Sequence, residues 1–380
     1  MNVKILSAAM TAFAMILSIG SSGRAEIVVG GISNRTAATS DASIPHMDGV
    51  LEAWGWINAN GGIDGEKVKV IERECGYNVP KTLTAFKRLV AENKVPLIHG
   101  FGTPDSLAVI PFSTRSEVIY MPVSYATQMT DAKRAPYFFM TNAEYGTGAR
   151  SAVQFVKKNG GNLALFYNAD GFGQDPIPAV KDEARKQGVQ IVEDVHIGYM
   201  PADATKEVEE AKKAGAKFIW MGNTDSCMAV VAKALAKQKA DIKIIGNVNA
   251  GNEAFIKAAG KAAEGHYAIY CSAPYGSIET PAMKAVMAAE SLEKRNSNFI
   301  RGWAQAMLAA EAMRRCKAAG RPLTGPNLKW AFETMKDYSP DGLVPPVTFT
   351  PDDHRPNMSA PVFQVQDGKW VKVWDNTLPR

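Results

Sequence analysis

Short apolar runs and longer amphipathic segments alternate along most of this 380-residue chain. In its first part, four apolar runs predict buried strands, at residues 27–29, 68–71, 95–98 and 119–123. Helical spacing of apolar side chains predicts helices between them, at residues 46–60, after Pro80 and after Pro104. Strands separated by helices of this length pair in parallel through right-handed crossovers. The pattern therefore predicts an α/β unit.

The same alternation then begins again. Strands are predicted at residues 163–167, 189–195, 218–221, 242–245 and 267–271. Helices are predicted at residues 148–158, 177–187, 205–214, 226–239, 281–294 and 299–319. Near the end, two alternating runs flank Asp367-Gly368 and predict a hairpin. We expect an α/β fold of two doubly wound parallel-sheet lobes, with a ligand site between them at the carboxyl ends of strands.

The first 25 residues differ from the rest. Lys4 precedes an uncharged, mostly apolar stretch at residues 5–19, and Gly23 and Ala25 stand at the positions that a signal peptidase reads. Fifteen residues are fewer than the ~20 that span a bilayer. We predict a cleaved export signal at residues 1–25 and a periplasmic location; an N-terminal anchor is the alternative.

Composition excludes several classes. Apolar residues make up 46% and charged residues 21%, which is ordinary for a globular protein. The net charge of +5 is spread along the chain without a basic run, so no nucleic-acid partner is expected. The four cysteines are too few for a disulfide-built scaffold, although a disulfide is permitted and Cys227 with Cys271 is a candidate pair.

Motifs for catalysis are absent from the sequence. The five histidines are scattered without metal-ligand spacing, and no nucleophile elbow, Walker loop or C-x-x-C occurs. Gly146-Thr147-Gly148 lacks the third glycine of a dinucleotide loop and is interpreted as a helix start. We predict neither metal nor cofactor and no enzymatic activity; a triad assembled only in space is the alternative.

The better site candidates are loops that follow strands. They lie at residues 99–106, 124–127, 171–175, 222–225 and 246–249. Each alone is more typical of a turn than of a site. Glycines there let a ligand approach the backbone, and free N–H groups at helix starts favour a carboxylate.

Seven stretches, in their order and spacing, carry a family resemblance that covers nearly all of the chain after residue 25. They are WGWINANGGIDGEKVKVI, LIHGFGTPDS, YMPVSYATQMTD, FYNADGFGQD, FIWMGNTDS, KAAEGHYAIY and FTPDDHRP. The chain resembles the type I periplasmic binding proteins of the leucine/isoleucine/valine class, which feed ABC importers. The resemblance implies two lobes joined by three hinge crossings that close on a small ligand. The first lobe would span residues 26–140 and be completed by 275–344, and the second would span 141–274 and be completed by 345–380.

The resemblance also implies ligand contacts at Gly102, Thr103, Tyr125, Ala126, Thr127, Phe172, Thr224, Asn247, Asn249 and Phe299. A ligand carboxylate would meet the loops at residues 102–103 and 125–127, where Thr127 donates its hydroxyl and Tyr125 a backbone group. Phe172 would cover the ligand from the second lobe. Thr224 stands where amino-acid binders commonly place an aromatic, and Phe299 matches a wall of the pocket.

One departure from the family pattern bears on the ligand. Amino-acid binders usually hold the ammonium group with an acidic side chain after the strand at residues 242–245, where this chain has Gly246-Asn247-Val248-Asn249. A desolvated ammonium without a counter-charge costs about 2 kcal/mol or more. We therefore expect a small aromatic or aliphatic organic acid or amide, which Arg301 could meet if it is anionic. The alternative is a branched-chain amino acid with Asp225 as ammonium partner. The first-loop disulfide of relatives is expected to be absent, because Phe101 stands where the partner of Cys75 would be.

The main hypothesis is thus an exported, monomeric solute-binding protein that delivers a small organic acid or amino acid to a membrane ABC permease. A ligand-sensing module on the same fold and an exported hydrolase are the alternatives.

Overall fold

The computed structural model describes residues 26–288 and 296–380, so the predicted export signal lies outside the described residues. The strands of the described part are β1 (Ile27–Ser33), β2 (Val68–Glu74), β3 (Leu97–Phe101), β4 (Ile119–Val123), β5 (Leu163–Tyr167), β6 (Ile191–His196), β7 (Phe218–Gly222), β8 (Lys243–Gly246), β9 (Tyr267–Ile269), β10 (Val362–Gln366) and β11 (Lys369–Trp374). Its α-helices are α1 (Ser40–Ala59), α2 (Val79–Ala91), α3 (Thr103–Ser116), α4 (Tyr145–Lys158), α5 (Gly171–Gln174), α6 (Ile177–Gln187), α7 (Thr205–Lys213), α8 (Asp225–Lys237), α9 (Glu253–Ala259), α10 (Pro281–Ala288), α11 (Ser297–Ala318) and α12 (Gly325–Glu333). Two 3₁₀ turns lie at Thr127–Met129 and Gly260–Ala263. None of the described helices is long and apolar enough to cross a membrane.

The first sheet contains four parallel strands in the order β2-β1-β3-β4. Helices α1 and α11 pack closely beside it. A Cβ at Gly49 of α1 would lie 2.2 Å from the Phe299 carbonyl oxygen, and one at Gly302 of α11 would lie 2.1 Å from that of His46. The two helices can approach this closely only because both positions are glycine.

The second sheet contains seven strands in the order β11-β10-β9-β8-β7-β5-β6. Its strands β5 to β9 are parallel, whereas β10 and β11 are antiparallel. The predicted hairpin is confirmed: Asp367 and Gly368 both have positive φ, 51° and 71°, as a two-residue turn between strands requires. The expectation of a parallel sheet therefore applies to five of the seven strands, because the hairpin extends one edge in the opposite direction.

The chain passes between the two sheets three times. It leaves the first sheet between β4 and α4, returns after β9 to α10, α11 and α12, and passes back before β10. Those three helices share a hydrophobic core with β1 and α1. We call the first sheet with its helices the first lobe, and the second sheet with α4 to α9 the second lobe. The residue limits predicted for the lobes stay predictions.

Helix starts and cysteines differ from the sequence expectations. Helix α1 begins at Ser40 rather than at residue 46 and contains Pro45, and α4 begins at Tyr145 rather than at residue 148. All four cysteines are buried and unpaired. Cys227 and Cys271, the candidate pair, pack in separate hydrophobic clusters of the second lobe.

Candidate ligand-binding site

A small cavity of about 290 Å³ lies between the lobes, where several strands end. We call it the front cavity. Its walls are formed by Thr39, Ala42, Tyr77, Phe101, Gly102, Thr103 and Val123 of the first lobe, and by Tyr145, Phe172, Thr224 and Asn249 from the second-lobe side. The wall contains no side chain that is charged at neutral pH. It offers hydroxyl, amide and backbone groups among aromatic and aliphatic surface, which suits a small ligand with one polar end.

Three long helices begin at this cavity. Thr39, Gly102 and Thr224 are the N-cap residues of α1, α3 and α8, and all three line the wall. None of them caps its helix with its own side chain. The first backbone N–H groups of a helix have no intrahelical acceptor, and the helix dipole adds partial positive charge there. Three such ends around one cavity favour an anionic group in it.

Two of these N-cap residues have unusual backbone conformations. Gly102 has a φ of +84°, and Thr39 has a φ of 71°, in the left-handed region that non-glycine residues rarely adopt. The Asn34 side chain holds the loop that contains Thr39, because it donates to the Ala38 carbonyl at 2.5 Å and to Thr39 Oγ1 at 3.2 Å. Such conformations persist only where the surroundings enforce them, and they are concentrated at binding sites.

A chain of polar contacts runs along one side of the cavity. The hydroxyls of Thr103 and Ser124 are 2.8 Å apart, and the Tyr145 hydroxyl lies 3.5 Å from that of Thr103. Asn249 Nδ2 donates to the Tyr145 hydroxyl at 3.3 Å, and Arg301 Nη1 donates to Asn249 Oδ1 at 3.0 Å. The amide of Asn249 thus separates the front cavity from a buried cation.

Arg301 is that cation, and it is only 1% exposed. Its other hydrogen bonds go to the Ser297 carbonyl at 3.4 Å and to Asn298 Oδ1, and its guanidinium lies 5.9 Å from the centre of the Tyr125 ring. Within residues 26–288 and 296–380 it forms no ion pair with a carboxylate. Asp225 is close enough to interact electrostatically with it, and a further negative group nearby would also be stabilised by this buried cation.

Acidic side chains occur in the first turns of the same helices but not on the cavity wall. Asp225 accepts hydrogen bonds from the backbone N–H groups of Gly251 and Asn252 at 2.7 and 2.9 Å and from the Asn252 side chain. Burial raises its pKa to about 7. Asp41 accepts from the Ser226 hydroxyl at 2.6 Å, and Asp105 accepts from the Thr82 hydroxyl. In the described part of the chain, no cluster of His, Cys, Asp or Glu is arranged to hold a metal ion.

Direct hydrogen bonds join the two lobes around the cavity, so the cleft is closed in the structure. The Tyr77 hydroxyl donates to Asp170 Oδ2 at 2.8 Å, and the Tyr199 hydroxyl donates to the same oxygen at 2.6 Å. On another side, the Thr127 backbone N–H donates to the Asp175 carboxylate at 3.2 Å. Burial and the nearby Glu144 raise the pKa of Asp175 to about 6, against the opposing effect of the Thr127 hydrogen bonds.

Five of the ten sequence-predicted site residues lie on the wall of the front cavity: Gly102, Thr103, Phe172, Thr224 and Asn249. Phe172 lies under Tyr145 and stacks at 6.3 Å on Tyr199. Because β5, β7 and β8 are parallel neighbours in the second sheet, the loops that follow them meet at one edge. The role of these five residues in ligand binding stays a prediction.

The structure places the other five away from the wall: Tyr125, Ala126, Thr127, Asn247 and Phe299. Thr127 is exposed, and its hydroxyl donates to Glu144 at 2.5 Å, so it is already engaged by a carboxylate. Tyr125 is buried behind Tyr145, at 5.7 Å between ring centres. Phe299 belongs to the core of the first lobe between α1 and α11. Asn247 lines a second, smaller cavity behind Tyr145.

Sequence reasoning missed three wall residues with polar groups: Thr39, Tyr77 and Tyr145. Thr39 and Tyr77 lie in the loops after β1 and β2, so the strand-end rule that selected the later loops would also have found these two. Tyr145 lies at the first crossing between the sheets, where no predicted strand pointed to it. The sequence suggested Arg301 as a partner for an anionic ligand. In the structure it does not line the cavity but donates to Asn249, which does.

Comparison with known proteins agrees with this architecture. The sequence model of the periplasmic binding protein family matches residues 26–369. An amino acid binding protein of Pseudomonas aeruginosa is 22% identical over 227 residues, which are 58% of this chain and 61% of that protein. A Leu/Ile/Val/Thr-binding protein of Salmonella typhimurium is 23% identical over 279 residues, which are 73% of this chain and 74% of that protein. The chain thus spans less than two thirds of the first relative and about three quarters of the second.

Solved structures share the fold at similar identity. A branched chain amino acid ABC transporter protein from Thermus thermophilus, with bound valine, has a TM-score of 0.89 at 21% identity, covering 94% of this chain and 97% of that one. A solute binding protein of an ABC transporter from R. palustris, in complex with 4-hydroxybenzoate, has a TM-score of 0.79 at 21% identity, covering 93% and 97%. The predicted two-lobed α/β fold is therefore confirmed.

Proposed function

Because the chain belongs to the periplasmic binding protein family, we propose that it binds a small organic carboxylate in the front cavity and delivers it to a membrane ABC permease. The family implies a periplasmic location, and we further propose that residues 1–25 are the cleaved export signal. The observation that carries the proposal is the meeting of three helix N-termini at one cavity with an uncharged wall. A carboxylate would accept hydrogen bonds from these ends.

The electrostatics beside the cavity support the same ligand class. Arg301 is buried and unpaired within the described residues, and the Asn249 amide connects it to the wall. A ligand carboxylate would bring the missing negative charge close to this guanidinium. The relatives named above bind valine and 4-hydroxybenzoate, and both of these ligands carry a carboxylate.

We propose that the ligand has no ammonium group. Asp225, the alternative ammonium partner, does not line the cavity and is occupied by three donors from Gly251 and Asn252. An ammonium group on the uncharged wall would lose its hydration without gaining a counter-charge, at a cost of about 2 kcal/mol or more. Aromatic and aliphatic acids avoid this cost.

The test compares ligands that differ only in the ammonium group. 4-Methylpentanoate has the carbon skeleton and the carboxylate of leucine without its amine, and benzoate represents the aromatic acids. We expect thermal-shift titration and calorimetry to show binding of at least one of these acids, with leucine at least roughly tenfold weaker than 4-methylpentanoate. Leucine binding as tightly as 4-methylpentanoate would contradict the absence of an ammonium partner, and no saturable binding of any acid would contradict the carboxylate proposal.

The Arg301→Met variant separates the contribution of Arg301 to ligand binding from its contribution to the stability of the fold. Removing the guanidinium is expected to weaken acid binding by roughly tenfold or more, because a charge-assisted partner is lost. The unfolding free energy without ligand is expected to change much less, since an apolar side chain replaces a buried, unpaired charge. We also propose that binding involves no turnover, so the acid should be recovered unchanged after incubation.

A further inference from the structure

A second cavity lies directly behind Tyr145. We call it the rear cavity; it has room for about one water-sized group, and Tyr145 lines both cavities. On the rear side its neighbours include Trp220 of β7, Asn247 after β8, Ile269 of β9 and Cys271. Tyr145 is therefore shared by both walls, and we call it the partition between the two spaces.

The rear cavity differs chemically from an ordinary packing defect. Trp220 and Asn247 line it, and their N–H donors Trp220 Nε1 and Asn247 Nδ2 are buried and have no hydrogen-bond partner within the described part of the chain. The two residues are 1% and 3% exposed. Buried donors are normally satisfied, and leaving one unpaired is costly. Two such groups on one small cavity indicate a place for an oxygen acceptor.

The acidic residue on this wall does not oppose such an acceptor. Both oxygens of Glu144 are engaged, one by the Arg150 guanidinium at 2.8 Å and the Thr147 hydroxyl at 3.0 Å, the other by the Thr127 hydroxyl. The remaining wall is aliphatic or sulfur-bearing, which favours an uncharged acceptor on an apolar chain over a second carboxylate.

The hydroxyl of Tyr145 is held only by long hydrogen bonds, at 3.3 Å from Asn249 Nδ2 and 3.5 Å from Thr103 Oγ1. Its ring is held more firmly, between Phe172 at 5.4 Å and Tyr125 at 5.7 Å. We therefore expect the aromatic ring, rather than the hydroxyl, to keep the two cavities apart.

We propose that Tyr145 limits how long a ligand in the front cavity can be, and that removing its side chain makes the rear cavity a second compartment of the site, for a carbonyl or ether oxygen at the far end of a longer acid. This inference rests on the proposed function, in which the ligand carboxylate occupies the front cavity. It narrows the ligand class of the unmodified protein to short acids. A variant without the Tyr145 side chain would also bind longer acids whose far end carries an oxygen acceptor.

The experiment uses a matched pair of longer acids. 5-Oxohexanoate and 5-methylhexanoate have the same length and branching and differ in carrying a ketone oxygen or a methyl group; butanoate is the short reference. In the unmodified protein we expect butanoate to bind more tightly than either longer acid. In Tyr145→Ala we expect 5-oxohexanoate to bind roughly tenfold or more tighter than 5-methylhexanoate, because the ketone accepts from the two unpaired donors.

Two variants make the result specific. Tyr145→Phe keeps the ring and should keep the length limit, and Asn247→Leu combined with Tyr145→Ala should remove most of the ketone preference. Equal binding of the two longer acids by Tyr145→Ala, or loss of the length limit in Tyr145→Phe, would overturn the inference.

A further measurement separates this inference from the proposed function. If no acid binds the unmodified protein, the proposed function has failed, and the rear cavity is then tested by a crystal structure of Tyr145→Ala soaked with acetamide. Acetamide with its oxygen at Trp220 Nε1 and Asn247 Nδ2 would support the compartment. Water alone at those two donors would contradict it.

Discussion

At the scale of single residues, Gly102 connects backbone conformation to the site. Its φ of +84° disfavours any side chain, and a Cβ there would lie 2.8 Å from Tyr77 Cε2. Tyr77 in turn lines the cavity and donates across the cleft to Asp170. The glycine is therefore required both by its own conformation and by the position of an aromatic side chain on the cavity wall.

Gly102→Ala is expected to lower the unfolding free energy by about 1–3 kcal/mol and to weaken acid binding as well. The matched control is Gly160→Ala, since Gly160 has a φ of +69° but would meet no atom within 4 Å. Urea unfolding and calorimetry of both variants separate backbone strain from displacement of Tyr77. If the two variants lose the same stability and neither loses affinity, the contact with Tyr77 has no consequence for the site.

The sequence predicted Gly102 and Thr103 correctly as part of a strand-end loop, because glycine, threonine and proline at a helix start have local causes. It could not exclude Thr127, whose hydroxyl is engaged by Glu144, 17 positions along the chain. Nor could it find Tyr145, whose place depends on how the two sheets sit against each other. The local sequence identifies candidate loops, whereas tertiary contacts determine which residues of a loop line the cavity.

At the scale of elements, β3 is tied to α1 and α11 by a buried histidine. Trp54 Nε1 of α1 donates to His99 Nε2 at 3.0 Å, so this nitrogen must be unprotonated, and His99 Nδ1 then donates to Gln305 Oε1 of α11 at 2.8 Å. His266 is similar, since its Nδ1 accepts from the Ile244 N–H of β8 at 3.1 Å. Burial lowers the pKa of each histidine to about 4.

These histidines contribute acid sensitivity to the fold, which Asp175 and Asp225 oppose, because their raised pKa values let the folded chain bind protons first. Above about pH 6.5 both are neutral in the folded and the unfolded chain, so their contribution is complete. Between about pH 6.5 and 4 the unfolded chain takes up protons that the folded chain does not, so stability falls as the pH falls, with a slope approaching about 1.4 kcal/mol per pH unit for each histidine.

The measurement is urea unfolding between pH 7 and 4.5. His266→Asn removes one titrating group while keeping an acceptor near the Ile244 N–H, and it should lower the slope of stability against pH by up to about 1.4 kcal/mol per pH unit. An unchanged slope in this variant would show that His266 already carries its proton in the folded protein.

Element order was largely predictable, because the alternation of apolar runs and amphipathic segments is a local pattern. Helix starts were less so: α1 begins at Ser40 and continues through Pro45, whereas the sequence placed its start at residue 46. The edge hairpin followed from Asp367-Gly368. Its pairing with β9 requires the third crossing between the sheets, which the family resemblance implied and the periodicity alone did not.

At the scale of the whole molecule, closure of the cleft brings partly buried carboxylates from one lobe against donors from the other. Asp175 of the second lobe accepts from the Thr127 N–H of the first at 3.2 Å. Burial, with Glu144 nearby, raises its pKa to about 6. In an open cleft the same carboxyl would be hydrated and nearer its ordinary value of about 3.9.

Closure is therefore linked to proton uptake at Asp175. Because the closed form has the higher pKa, lowering the pH from 7 to 5.5 stabilises it relative to the open form, and ligand affinity should rise by up to about threefold. This pH range keeps a ligand such as benzoate ionised.

The control variant is Asp175→Asn, which keeps an oxygen acceptor for Thr127 but cannot titrate. Its ligand affinity should therefore vary less with pH. Comparing the two proteins also separates Asp175 from Asp225, which both of them contain and whose pKa burial raises to about 7 in the unmodified chain. The same pH dependence in both proteins would mean that closure does not change the surroundings of Asp175. If instead the affinity of the unmodified protein alone decreases as the pH is lowered, the ionised carboxylate of Asp175 stabilises the closed cleft.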